Sequence, residues 1–312
     1  MTSEQAEGAA VVPAPRVPPG AGGVPSGVPE TTPSTPTDGP LLALIVAETD
    51  MRLFSDPFLD RVLASVHAEA DLRGARLMFS LSRQDGDADE VRDLLLRHHV
   101  DGALLVSLHG GALRHLLESS RVPVVTAGRV AQSSKRLEWW VDADNRGGAQ
   151  LAVTHLRRRG RRTIATISGP LDMSAGADRL EGWREASGYE GRIAASLTAV
   201  GDFTPRSGYQ AMQSLLRDVP SLDAVFAASD PMALGAMQAL ADAGLRVPDD
   251  VAVVGFDDAP EAEKADPPLT TVRQSVSMLS ATMVDLLLGR LSGEATDPHV
   301  LVPTELIVRA SS

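Results

Sequence analysis

The chain has 312 residues, no cysteine, and a net charge of −12 from 41 acidic against 29 basic side chains. Without cysteine there is no disulfide, no thiol nucleophile and no cysteine-ligated zinc, and the acidic surplus disfavours nonspecific nucleic-acid binding by the folded part. No run is long and apolar enough to span a bilayer, and no basic patch is followed by an apolar core and cleavage site, so the expected location is the cytoplasm, with no membrane partner.

Residues 1–40 hold nine prolines and six glycines, with Arg16 the sole basic side chain beside Glu4, Glu7, Glu30 and Asp38. Such a segment buries too little apolar surface to offset its ordering entropy and lacks the charge to neutralise phosphates, which predicts a disordered tail. The remainder, about 270 residues, exceeds one comfortable core and suits two α/β lobes with a cleft between them. Leu41 to Ala47 is an apolar strand run. A loop through Met51 to Asp56 leads to a helix from Pro57, with Phe58, Leu59, Val62, Leu63 and Val66 at helical spacing and Gly74 as its stop. Strands follow at Ala75–Leu81, Gly102–Val106, Val122–Thr126 and Leu137–Val141, alternating with helices at Ala88–His98, Ala112–Glu118 and Gly147–Arg159. This alternation predicts an α/β fold with parallel sheets flanked by helices.

Thr163 to Ser168 opens the second half. Asp223 to Ala228 is a buried strand, after which Asp230 and Pro231 suit the cap and first turn of a helix that Gly244 ends and Pro248 keeps ended. Val251 to Phe256 is another apolar run, delivering Asp257 and Asp258 to the carboxyl end of a parallel strand, where open α/β sheets bind ligands. A helix Ser275–Leu291 and a last strand near Val300–Val308 complete the chain.

From chemistry alone, Asp257 either accepts hydrogen bonds from ligand hydroxyls or caps the next segment. Arg179 is a multi-donor fork or an exposed helix arginine. Phe203 is a stacking surface or a core aromatic. Ser107 and His109, after the third strand, reach the same kind of sheet edge. The cations of Arg157–Arg162 complement a helix carboxyl end and lack interleaved aromatics, which favours a structural role. His98 and His99 have no further ligands at metal spacing. Phosphate loops, zinc-protease motifs and nucleophile elbows are absent, so binding is expected rather than catalysis, with no cofactor or metal.

The stretch from Asp223 to Gln274, together with Asp56-Pro57-Phe58, His99-Val100-Asp101-Gly102, Val141-Asp142-Ala143-Asp144-Asn145, Gly169-Pro170, Arg179-Leu180-Glu181-Gly182-Trp183, Gly201-Asp202-Phe203 and Ser207-Gly208-Tyr209, resembles the sensor region of the lactose-repressor (LacI/GalR) family. The resemblance covers roughly Leu41 to Arg309. It implies two Rossmann-like lobes joined by three crossovers, the periplasmic-binding-protein type I fold, with residues 41–160 and 268–295 in the first lobe and 161–267 and 296–312 in the second. It also implies a sugar-like effector in the cleft, a homodimer built partly on the helix Met232–Ala241, and effector contacts from Asp257, Arg179 and Phe203; Asp56, Phe58 and Asp230 at the mouths of the two lobes, and Ser107 and His109 at the sheet edge, complete the expected site. Asp230 is the member best suited to a structural role.

Met173 and Ala175 stand where some relatives are polar, implying a less polar wall there. The helix-turn-helix headpiece of the family has no counterpart in residues 1–40, so operator DNA is an expected partner only with a headpiece supplied upstream. A stand-alone solute-binding module is the alternative reading.

Overall fold

The computed structural model describes residues 39–48, 56–82, 91, 93, 95, 97–107, 121–129, 139–294 and 297–312. The expected tail, the helix at 112–118 and His109 lie outside these residues. Twelve strands are described: β1 (Leu41–Val46), β2 (Arg76–Leu81), β3 (Gly102–Val106), β4 (Val124–Ala127), β5 (Trp140–Ala143), β6 (Ile164–Ser168), β7 (Thr198–Val200), β8 (Ala224–Ala227), β9 (Ala252–Phe256), β10 (Thr270–Gln274), β11 (His299–Val302) and β12 (Thr304–Ile307). They form two six-stranded sheets, ordered β11-β5-β4-β3-β1-β2 and β12-β10-β9-β8-β6-β7. Every pairing is parallel except β10 with β12. The inner strands β3, β6, β8 and β9 are buried throughout, as continuous apolar runs covered on both faces must be. The edge strand β2 is partly exposed along its length.

Eight helices are described: α1 (Pro57–Leu72), α2 (Asn145–Arg158), α3 (Ser174–Ser187), α4 (Gly191–Ser196), α5 (Pro205–Asp218), α6 (Asp230–Asp242), α7 (Pro260–Lys264) and α8 (Val276–Ser292). None is long and apolar enough to cross a membrane. Asp56 caps α1 by accepting from the Phe58 amide at 2.9 Å, and α1 buries Leu59, Val62, Val66 and Ala70 against the first sheet. Ser229, rather than Asp230, caps α6, because its side-chain oxygen accepts from the Met232 amide. Most of α6 is buried in its own lobe, where Gly235 faces the Pro205 carbonyl of α5 and Gly208 of α5 faces the Met232 backbone. A methyl group at either glycine would collide with the opposing backbone.

The lobe boundaries differ from those expected at 160, 268 and 296. The chain passes between sheets at Asp144, at Ser275 and at Pro303. Helix α2 packs its Ala149, Ala152, Val153 and Leu156 into the second core with Trp183 and Phe226. β10 pairs with β9 through Thr271↔Gly255 and Val272↔Phe256, so it belongs to the second sheet. The run expected as one final strand is divided at Pro303, which has no amide hydrogen to continue a ladder: β11 joins β5 and β12 joins β10. Local periodicity identifies an element but not the sheet it joins.

Two sequence features find structural employment. Arg157 donates to the Ser187 carbonyl, Arg159 to that of Ser312 at 3.3 Å and Arg161 to that of Pro248 at 2.5 Å, so the arginine cluster fastens a helix end to its surroundings. Arg290 lies 5.0 Å from the Trp139 ring centroid, while Trp140 stacks on His299 at 4.9 Å.

Arg61 is one of the side chains that span the two lobes. Arg61 of α1 donates through Nη1 to the carbonyl oxygens of Asp257, at 3.2 Å, and Asp258, at 3.1 Å, just beyond β9. Charge-assisted bonds of this kind, worth about 1 kcal/mol at a partly solvated site, would favour approach of the two lobes. Arg61→Ala should therefore enlarge the ligand-free radius of gyration measured by X-ray scattering; an unchanged profile would show that the bridge exerts no closing force. Gly235→Val should destabilise the second lobe by about 1–3 kcal/mol through overpacking, read from urea unfolding, and a neutral result would contradict the close approach of α5 and α6.

Candidate functional site

The carboxyl ends of both sheets converge on a cavity of about 160 Å³, room for a small molecule rather than a lone ion. Its centre is Arg179, carried by α3 and only 4% exposed. Trp183, one turn later, is fully buried and donates its indole N–H to the Ile164 carbonyl at 3.1 Å, which fixes the rotation of α3 and the direction of Arg179. The guanidinium sits 3.6 Å from the ring centroid of Phe256 and 6.0 Å from that of Phe203. Its Nε donates to Asn145 Oδ1 at 2.8 Å, and Nη1 donates to the Ala228 carbonyl at 2.6 Å and lies 3.3 Å from Asp257 Oδ1. Nη2 has no protein hydrogen bond among the described residues. Burial lowers the guanidinium's pKa while Asp257, Asp142 and Asp230 oppose the shift; arginine's intrinsic basicity keeps it charged.

Asp257 follows β9 in a left-handed conformation, φ +108°, held by its amide donating to the Val272 carbonyl at 2.7 Å. An aspartate so constrained at a sheet edge is a conformation stored by its surroundings. Gln274, at the end of β10, donates to Asp257 Oδ1 at 2.6 Å. Burial raises the Asp257 pKa to about 6, the Arg179 charge opposing and Asp56 adding to the rise. Asp258, by contrast, is held below the usual carboxylate range: burial pushes it up, but hydrogen bonds from Arg309 and Arg273 outweigh that.

A second buried carboxylate stands where the chain first leaves β5. Asp142 accepts from Asn145 Nδ2 at 2.8 Å, from Ser174 Oγ at 3.2 Å and from the Arg129 amide at 3.3 Å. Asn145 thus links Asp142 to Arg179, and so on to Asp257. Burial raises Asp142 to about 6, with hydrogen bonds from Arg129 and Ser174 working against the rise. Gly128 lies between these groups at φ +90°, and a Cβ there would come within 2.9 Å of Ser174 Oγ. Only glycine suits both the conformation and the approach.

Of the residues expected at the site, Asp257, Arg179, Phe203, Asp56, Phe58 and Ser107 all line this cavity. Phe203, at φ +67°, lays its ring against Gly169, where a side chain would overlap it. Ser107 donates to Glu48 Oε1 at 2.7 Å. Asp230 does not line the cavity. It is fully buried, accepts from the Ala259 amide at 2.7 Å and from Thr271 Oγ1 at 2.5 Å, and ties α6 to the segments after β9 and within β10. Burial, reinforced by Asp257, holds its carboxyl well above the usual range. Met173 and Ala175 form part of the wall, as expected.

Sequence reasoning did not nominate Asp142, Asn145, Gln274, Arg129 or Ser174, all of which line the cavity. Asp142 and Asn145 lay within a quoted motif and Gln274 closed another. Their proximity arises because two of the crossings, at Asp144 and Ser275, run beside the cleft.

The sequence model of a periplasmic binding protein-like domain matches residues 153–312. The HTH-type transcriptional regulator CelR of Thermobifida fusca is 42% identical over 275 residues, covering 86% of this chain and 80% of the relative. The ribose operon repressor of Halalkalibacterium halodurans is 31% identical over 262 residues, covering 83% and 76%. Among solved structures, a transcriptional regulator CelR–cellobiose complex is similar at a TM-score of 0.82 and 40% identity, covering 88% of this chain and 86% of the other. A regulatory protein of the LacI family from Chloroflexus aggregans is similar at 0.75 and 31%, covering 87% and 98%. These relatives are transcriptional regulators rather than enzymes. With their identity extending over most of its length and with their two-lobed fold, this chain belongs to the LacI family of transcriptional regulators.

Proposed function

We propose that this chain senses a carbohydrate in the inter-lobe cavity, cellobiose being the first candidate, and that Asp257, Arg179, Phe203, Asp56, Phe58 and Ser107 contact it, together with Asp142, Asn145 and Gln274. His109, just beyond Ser107 in the sequence, belongs to the same proposal. The observation that carries the reading is the linked array Asp142–Asn145–Arg179–Asp257–Gln274 in the cavity, with aromatic surface from Phe203 and Phe58 in the same lining. Alternating acceptors and donors suit vicinal hydroxyls, and an aromatic face suits the apolar face of a sugar ring. The solved CelR complex with cellobiose, a relative of high similarity, supports the choice of probe.

Binding between lobes gives the effector more contacts in the closed form than in the open one. Its effect on the closed population is limited to that difference in affinity. In a homodimer with operator-binding headpieces, lobe closure would be transmitted to headpiece spacing and so to affinity for DNA. Family membership favours this regulator, working in the cytoplasm where its operator lies, over a stand-alone solute-binding module.

Calorimetric titration with cellobiose tests the site. Asp257→Ala and Arg179→Ala should each weaken binding by roughly ten- to a hundredfold, the worth of one charge-assisted hydrogen bond, and full affinity in both variants would refute the assignment. Acidity gives a second test. In the free protein the Asp257 carboxyl titrates at about 6, and sugar hydroxyls donating to it favour the ionised form, so bound Asp257 titrates lower. Affinity should be constant above pH 7 and fall below pH 6, by up to about tenfold per pH unit for each of Asp257 and Asp142, both raised to about 6, that accepts from the sugar. A dissociation constant that does not change between pH 7.5 and 5 would show that Asp257 takes no part.

A further inference from the structure

The charges around the cavity are unequal. Its described lining includes four carboxylates, Asp56, Asp142, Asp172 and Asp257, against two guanidinium groups, Arg129 and Arg179. Both cations are already committed: Arg179 to Asp257 at 3.3 Å, and Arg129 to Asp178 of α3. An arriving phosphate or carboxylate would compete with the protein's own carboxylates for these two cations, with two further acids in excess around it. The remaining attraction for an anion is the amino terminus of α3, where Met173, Ser174 and Ala175 line the cavity. That helix has no side-chain cap of its own. Instead Asp142, from the opposite lobe, accepts from Ser174 Oγ at 3.2 Å. A protein carboxylate thus stands beside the helix end whose dipole would draw a ligand's negative group, and repels that group.

We propose that Asp142 is a specificity residue, a resident anion that makes the cavity accept neutral and amine-bearing carbohydrates and reject phosphorylated or acidic ones. The inference rests on the carbohydrate reading above and sharpens it to a charge class. Asp142 is only 5% exposed and bound by three donors, from Asn145, Ser174 and Arg129, so it cannot swing aside to admit a second anion without leaving those donors unpaired. A hydroxyl or an ammonium group, by contrast, donates to a carboxylate and gains from its presence. Specificity of this kind comes as much from the rejected ligand as from the accepted one.

The test uses three matched probes, cellobiose, cellobiose 6′-phosphate and the β-1,4-linked glucosamine dimer, titrated into the wild-type chain and into Asp142→Asn. The wild type should bind the amine dimer within about tenfold of cellobiose and the phosphate about a hundredfold more weakly. Asp142→Asn, which keeps the shape and removes the charge, should lower the ratio of the phosphate to the cellobiose dissociation constant by about tenfold. Wild-type binding of the phosphate as tight as that of cellobiose would overturn the charge rule and leave the carbohydrate reading intact. A ratio unchanged by Asp142→Asn would likewise remove Asp142 from the role. If a broad panel of neutral, amino and acidic carbohydrates gave no thermal shift at all, both readings would fall.

Discussion

A buried arginine with a carboxylate beside it organises this molecule's cleft. Arg179 lies over the Phe256 ring with Phe203 nearby, is fastened through Nε and Nη1, and is set against Asp257 at 3.3 Å. Taking such charges out of water is expensive, and the pair is tolerated only because nearly every remaining donor and acceptor is satisfied. The surrounding structure can be read as the means of meeting that condition. Phe256 ends a fully buried strand beneath the guanidinium, Trp183 orients the helix that carries it, and Asn145 arrives from the first crossing to take its Nε. The left-handed conformations of Phe203 and Asp257 belong to the same arrangement, each turning a side chain toward the cavity at some conformational cost.

The position of these groups relative to the crossings connects the site to motion. Asp142 ends its hydrogen bonds on both lobes, Asn145 starts the helix just after the chain changes lobes, and Gln274 ends β10 just before the chain returns. A ligand bound against this wall would therefore touch the segments that join the two lobes. Arg61 bridges the same lobes from the other side, through backbone carbonyls of Asp257 and Asp258. An inter-lobe hydrogen bond and the proposed ligand contact at Asp257 thus share the short segment after β9, the kind of coupling by which a small molecule would change the relation of two domains.

Much of this was legible in the residues. The apolar runs located the inner strands, the aspartates after β9 marked a sheet edge, and Arg179, Phe203, Asp56, Phe58 and Ser107 were placed at one cavity. The failures share a cause. Asp230 sits beside the cavity-lining Ser229 and Pro231 in sequence, but its side chain turns inward to Ala259 and Thr271, a choice set by tertiary partners that no local pattern encodes. Asp142 looked like one letter of a motif, and its role depends on Ser174 and Arg129, residues far away in the chain. The crossings were misplaced because parallel strands of either lobe have the same composition, so sheet membership is decided by pairing rather than by periodicity.

The most direct measurement is a crystal structure of the chain grown with cellobiose. Sugar hydroxyls should lie within about 3.2 Å of both an Asp257 carboxylate oxygen and an Arg179 guanidinium nitrogen, with a ring against Phe203. A sugar bound outside the cavity, or inside it without touching that pair, would show that Arg179 and Asp257 do not form the effector site.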